Sequence, residues 1–283
     1  MTPTLVHHHP QRARDWAEIQ ERMLVPLYEA VFDRLEVGPA TRLLDLGCGS
    51  GLALLLAAAR GASVTGVEAD ETRLALARER LLPEPGTGPR RFDARLVGGR
   101  PEDTVPLSGP APDVVTAFDA LPAPEVLART AGALERGTPV VLAGWGPPER
   151  CGAASVLGVA TRLAEPAGGP RPARGPAAGT SPRDAPGHLP GSWRPGGRDD
   201  LEELARRAGL RLDGSGRVSC PFGYAGLESA VRGLLSTGLY DDAVRATDEG
   251  QVVKELTEAL HPHVRRDGTV WMPNLFRYVV ARA

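Results

Sequence analysis

The stretch from Arg42 to Ala69, RLLDLGCGSGLALLLAAARGASVTGVEA, constrains this chain more than any other. Leu43 to Leu46 is a short apolar run, as a strand buried on both faces requires. Gly47, Gly49 and Gly51 follow at alternate positions and allow close approach of a ligand to the backbone. Leu52 to Arg60 is helix-forming, with Gly61 as its stop. Val64 to Val67 is a second strand, and Glu68 ends it. A right-handed crossover between parallel strands brings both carboxyl ends to one sheet edge. A ligand there meets the glycine turn, a helix N-terminus and Glu68 together.

The turn is not the dinucleotide pattern G-x-G-x-x-G. It is G-C-G-S-G, with Asp45 two residues ahead of the first glycine. A carboxylate in that place repels a pyrophosphate and suits a ligand with an ammonium group and a sulfonium centre. LLDLGCGSG, followed by an acidic residue closing the next strand, resembles the nucleoside-binding core of class I S-adenosylmethionine (SAM) methyltransferases. The resemblance implies an α/β fold: a Rossmann-like seven-stranded sheet with helices on both faces, an antiparallel last strand, and a helical cap inserted before it. It also implies SAM as cofactor, held by Asp45, Gly47, Cys48, Gly49, Gly51, Glu68, Ala69, Glu102 and Phe118. Glu68 is expected to accept from both ribose hydroxyls. For Cys48 packing competes with a ligand role, because the turn needs a small residue there.

Other segments take their place around that core. From Arg14 to Leu35, Trp16, Ile19, Met23, Leu27, Val31 and Leu35 recur at helical spacing, and Pro26 divides the segment into two helices. In the family an N-terminal helix lies over the cofactor pocket, so Trp16 and Tyr28 face cofactor or substrate on that resemblance and are core residues on periodicity alone. Asp70 caps a helix from Glu71 to Leu81, with Leu74, Leu76 and Ala77 inward. Phe92 to Val97 is the third strand, and the loop at Gly98 to Asp103 is the family's adenine-binding loop, where Glu102 is preferred to Asp103. The fourth strand, Pro112 to Asp119, resembles the family segment FDVVTA. The fifth spans Pro139 to Ala143 and runs into AGWGPPER, which looks like a subgroup of bacterial small-molecule methyltransferases of secondary metabolism. Asp119 and Trp145, at these two strand ends, are the expected residues beside the reacting centre; a helix cap and packing under the helix Ala153 to Leu163 are their alternatives.

Sixteen of the thirty-three residues from Glu165 to Gly197 are proline or glycine. That composition predicts a lid or disordered insert, with Trp193 as its anchor. A helix from Arg198 to Ala208 and a sixth strand from Leu210 to Ser219 follow. Three helical segments from Ala225 to Leu260 then form a cap, and Phe276 to Ala281 is the closing strand. The chain is expected to be one domain, 1–283, with N-terminal helices over the pocket (1–40), a SAM-binding core (41–150), the insert (165–197) and a helical substrate cap (222–268).

Composition limits the partners. A net charge of −2 in 283 residues gives no electrostatic case for nucleic acid or an anionic membrane. Lys254 is the single lysine among 33 basic residues, so arginine abundance reflects coding bias instead of a patch. Three unpaired-spacing cysteines, Cys48, Cys151 and Cys220, argue against a disulfide framework or a metal site. His7 to His9 form a run whose members cannot all face one way. With no membrane span and no signal-peptide pattern, the expected location is cytoplasmic.

Methyl transfer from SAM requires alignment of nucleophile, carbon and sulfur, and needs a base only when the acceptor is protonated. His188, His261 and His263 are the titratable alternatives to Asp119. The expected activity is methyl transfer to a small molecule. The alternative is a cyclase (pericyclase) of natural-product biosynthesis on the same fold, keeping SAM as a structural ligand.

Overall fold

The computed structural model describes residues 9–82, 92–104, 109–118, 121–164 and 199–283. The insert at 165–197 with Trp193 and His188, residues 7 and 8, and Asp119 lie outside them.

The chain opens with helix α1 (His9–Asp15), a π-helical turn (Trp16–Gln20), a 3-10 turn (Glu21–Leu24) and helix α2 (Val25–Arg34). Pro26 sits in the first turn of α2, where its missing N–H costs nothing. Strand β1 (Arg42–Leu46), helix α3 (Leu52–Ala59), strand β2 (Ser63–Glu68), helix α4 (Glu71–Leu81) and strand β3 (Ala94–Gly98) follow, then a short helix α5 (Pro101–Thr104). Strand β4 (Val114–Ala117), helix α6 (Pro124–Gly132), strand β5 (Pro139–Trp145) and helices α7 (Ala154–Ala164) and α8 (Asp200–Arg207) complete the alternating part. Beyond it come strands β6 (Arg211–Ser219) and β7 (Phe222–Tyr224), and helices α9 (Leu227–Leu235), α10 (Asp241–Ala246) and α11 (Glu249–Leu260). Strands β8 (Val270–Met272) and β9 (Leu275–Arg282) end the chain.

Seven strands form one sheet in the order β3-β2-β1-β4-β5-β9-β6. β1 to β5 are parallel, and β9 runs antiparallel between β5 and β6. The expected antiparallel closing strand is therefore present. Side chains alternate between two apolar clusters, one on each face of the sheet. Val141, Ala143 and Trp145 join α2, α3, α7 and the cap on one face. Val140 and Leu142 join α6 and α8 on the other. This period of two is what a strand covered on both sides demands.

Three local expectations change. The cap is not purely helical, because β7 and β8 pair antiparallel as a small two-stranded sheet. The fifth strand runs on to Trp145, since pairing with β9 continues through Trp145 and Phe276. Helix α4 turns Arg73 inward in place of Leu76, which is only half-buried. Asp70 caps that helix as expected, accepting from the N–H groups of Thr72 and Arg73.

Candidate functional site

Asp45 and Glu68 reach the same place because β1 and β2 are parallel neighbours, with Leu46 paired to Val67. The glycine turn folds over these strand ends. The N–H groups of Gly47 and Cys48 donate to Val67 O at 2.8 and 3.0 Å. Gly49 and Gly51 have φ of 56° and 82°, in the left-handed region. A Cβ on Gly51 would lie 2.9 Å from Ala77 Cβ, so the turn packs directly on α4.

Glu68 is buried and accepts from Gly49 N–H and Asp70 N–H, both at 2.8 Å. Its carboxylate thus ties the turn to the start of α4, and a ribose would use its remaining lone pairs. Asp45 is 1% exposed and accepts from Thr116 Oγ1 of β4 at 2.7 Å. The Cys48 side chain points towards β2: a Cβ on Gly66 would meet its Sγ at 2.6 Å. Burial, followed by the charges of Asp45, Glu68 and Glu21, pushes the Cys48 thiol well above its usual range. It stays protonated and packs. Ala69 is exposed at the rim.

The third carboxylate, Glu21, was not singled out in the sequence. It comes from the 3-10 turn and is 2% exposed. It accepts from Ser50 N at 3.2 Å and Ser50 Oγ at 2.5 Å, and it pairs with Arg80 Nη1 at 2.6 Å. It sits at the N-terminus of α3, where the helix dipole favours an anion. Arg80 also donates to Ser50 O and Ala17 O. Trp16 is buried, with its indole Nε1 3.3 Å from where a Gly49 Cβ would stand. The N-terminal segment therefore covers the glycine turn. Arg73 stacks on Trp16 at 4.5 Å and donates to Ser236 O at the end of α9. Arg232 pairs with Asp15, and Arg12 with Asp241 at 2.5 Å, so the same segment is bound to the cap. A lone glutamate in a helical pattern looks solvated; only the distance-spanning fold brings Glu21 to Ser50, so no short-range signal marks it.

The other expected residues are spread more widely. Glu102 lies in α5 and is exposed; its carbonyl accepts from Arg129. Phe118 is buried at the end of β4, edge-on to Tyr28 at 4.9 Å and Phe32 at 6.0 Å. Tyr28 thus faces Phe118. Trp145 is 3% exposed and packs on Phe276 at 4.5 Å and Phe222 at 5.4 Å. His261 and His263 lie in the turn after α11, on the cap; burial lowers the His263 pKa. Among the described residues no cluster could hold a metal ion, and no helix is long and apolar enough to cross a membrane.

Residues 43–137 match the family model described as a methyltransferase domain. No curated protein matches the sequence. The solved YcgJ protein from Bacillus subtilis superimposes with a TM-score of 0.55 at 16% identity, over 90% of this chain and 97% of that one. YjhP from E. coli gives 0.51 at 16% identity, over 96% and 99%. A SAM-dependent methyltransferase from Thiobacillus denitrificans, in complex with S-adenosyl-L-homocysteine, gives 0.50 at 17% identity over the full length of both chains. The matched segment begins at β1 and takes in the glycine turn, Glu68 and β4. Residues 43–137 are thus similar to a methyltransferase domain, and the chain shares the fold of these solved proteins, a SAM-dependent methyltransferase among them.

Proposed function

We propose that the protein transfers the methyl group of SAM to a small, largely apolar metabolite. One observation carries the reading: two buried carboxylates, Asp45 and Glu68, converge on a glycine turn, with a third, Glu21, beside it and paired to Arg80. Such a site repels a pyrophosphate and complements a ligand with ammonium and sulfonium charges. The Thiobacillus structure, solved with the demethylated cofactor, supports SAM as that ligand.

The residues proposed to hold the cofactor are Asp45, Gly47, Gly49, Gly51 and Glu68, with Ala69, Glu102 and Phe118 at its nucleoside end. Cys48 shapes the turn from below. Bound SAM supplies an activated methyl group, so the protein's task is alignment and exclusion of water. Trp16 and Glu21 close the turn from one side, and the aromatic residues about Trp145 form an apolar wall at the end of β5. We infer a single domain in which 1–40 covers a cofactor core at 41–150 and 222–268 forms the acceptor cap. A role in secondary metabolism rests on the resemblance of the β5 strand-end segment. Incubation with methyl-labelled SAM and a metabolite extract, followed by mass spectrometry, tests the activity. A product heavier by one methyl, with an equal amount of S-adenosyl-L-homocysteine, supports it; an isomeric product with SAM unconsumed overturns it in favour of the cyclase.

A further inference from the structure

Adjacent residues of the N-terminal segment face different neighbours. Glu21 meets the glycine turn, whereas Gln20 meets the cap. Gln20 is 0% exposed. Its Oε1 accepts from the Tyr224 hydroxyl at 3.0 Å, and its Nε2 has no hydrogen-bond partner. A Cβ on Gly233 of α9 would fall 3.1 Å from Gln20 Oε1 and 3.1 Å from Tyr224, so the amide is clamped between β7 and α9. From Tyr224 a row of rings leads to the carboxyl end of β5: Phe222 at 6.4 Å, then Trp145 a further 5.4 Å on.

A buried amide with one half satisfied is costly, because its lost hydration is not repaid. Such a group persists where a ligand completes it. Its neighbours narrow the ligand's chemistry. The amide is neutral, and burial pushes the Tyr224 phenol pKa far up, so the phenol is neutral too. The nearby Asp15 and Arg232 are paired with each other. A charged group placed here would lack a counter-ion. With Oε1 engaged by the phenol, what remains is a pair of N–H donors, which call for an oxygen acceptor.

We propose that Gln20 is a substrate-binding residue whose side-chain NH2 donates to a neutral carbonyl or hydroxyl oxygen of the methyl acceptor, beside the buried Tyr224 ring. This rests on the small-molecule transfer reading, and it deepens that reading to an uncharged, oxygen-bearing, largely apolar acceptor. One lid segment then contacts both reactants, Glu21 on the cofactor side and Gln20 on the acceptor side.

The test uses acetophenone as an oxygen-bearing probe and ethylbenzene as its counterpart without the acceptor. In 15N-labelled protein loaded with S-adenosyl-L-homocysteine, the Gln20 amide pair is the one missing from Gln20→Met. Acetophenone should move that pair downfield and ethylbenzene should not. Gln20→Met should weaken acetophenone about tenfold and leave ethylbenzene unchanged. An unmoved amide pair, or equal loss of both probes, overturns the proposal. Gln20→Met with Tyr224→Phe removes both partners together and should melt no lower than the parent; a clearly lower midpoint would mean the pair is structural and would also overturn it. Cofactor binding is measured separately by calorimetry. If S-adenosyl-L-homocysteine fails to bind, the transferase reading falls, while the two probes still report on Gln20 in the free protein.

Discussion

At the scale of single residues, Glu68 carries more than its place at a strand end suggests. Its two oxygens hold Gly49 and Asp70 by their N–H groups. Glu68→Ala should therefore weaken SAM binding by about 1.5–3 kcal/mol and also lower the thermal midpoint of the free protein, since two backbone donors, one of them buried, lose their acceptor. The ribose role alone would cost cofactor affinity; the backbone bonds add the stability cost. Binding calorimetry and thermal unfolding of one variant read both effects. A variant that binds SAM as the parent does would remove Glu68 from the ribose site. Asp45 and Glu68 were legible because adjacent parallel strands place their ends together by geometry alone. Gln20, Glu21 and Arg73 were not, since each is a polar residue in an ordinary helical pattern, buried by contacts with residues distant in sequence.

At the scale of elements, α4 offers a clean test of the capping argument. Asp70 accepts from Thr72 N at 2.8 Å and Arg73 N at 3.2 Å. Burial acts to raise its pKa, but the bonds from Thr72 and Arg73 outweigh it and hold the carboxyl below the ordinary value. A depressed folded pKa gives stability that is fully present above the unfolded value, near 3.9, and lost as pH falls through the folded one. Asp70→Ala should cost about 1 kcal/mol at pH 7, and the difference from the parent should shrink below about pH 4. An equal cost at pH 7 and pH 3, from denaturant unfolding, would contradict the cap. The helix and its cap were legible from Asp70-Glu71-Thr72-Arg73. The β7–β8 pair was not: its strands have three residues each, are separated by three helices, and carry too little periodicity to stand out.

The N-terminal segment is the second element with a measurable role. Glu21 joins it to Ser50 and Arg80. Glu21→Gln keeps the shape and removes the charge that Arg80 faces. Release of S-adenosyl-L-homocysteine, followed by stopped-flow displacement, should become about tenfold faster, as loss of a charge-assisted bond implies. Unchanged release would mean that the segment does not close the cofactor site.

At the scale of the whole molecule, the succession of strands through β5 and the ligand edge were readable because strand, turn and helix signals alternate regularly there, whereas the antiparallel closing strand was implied by the family resemblance. The cap was readable only as helices, since its packing depends on Phe222, Tyr224, Trp145 and Phe276, which meet from distant parts of the chain. What unites the molecule is an acidic, water-excluded turn covered by a segment that also grips the cap. The most direct measurement of that claim is calorimetric titration of the purified protein with SAM and, separately, with NAD. The account predicts saturable heat with SAM at micromolar order, about −8 kcal/mol of binding free energy, and none with NAD. Saturable binding of NAD with no heat from SAM would contradict it.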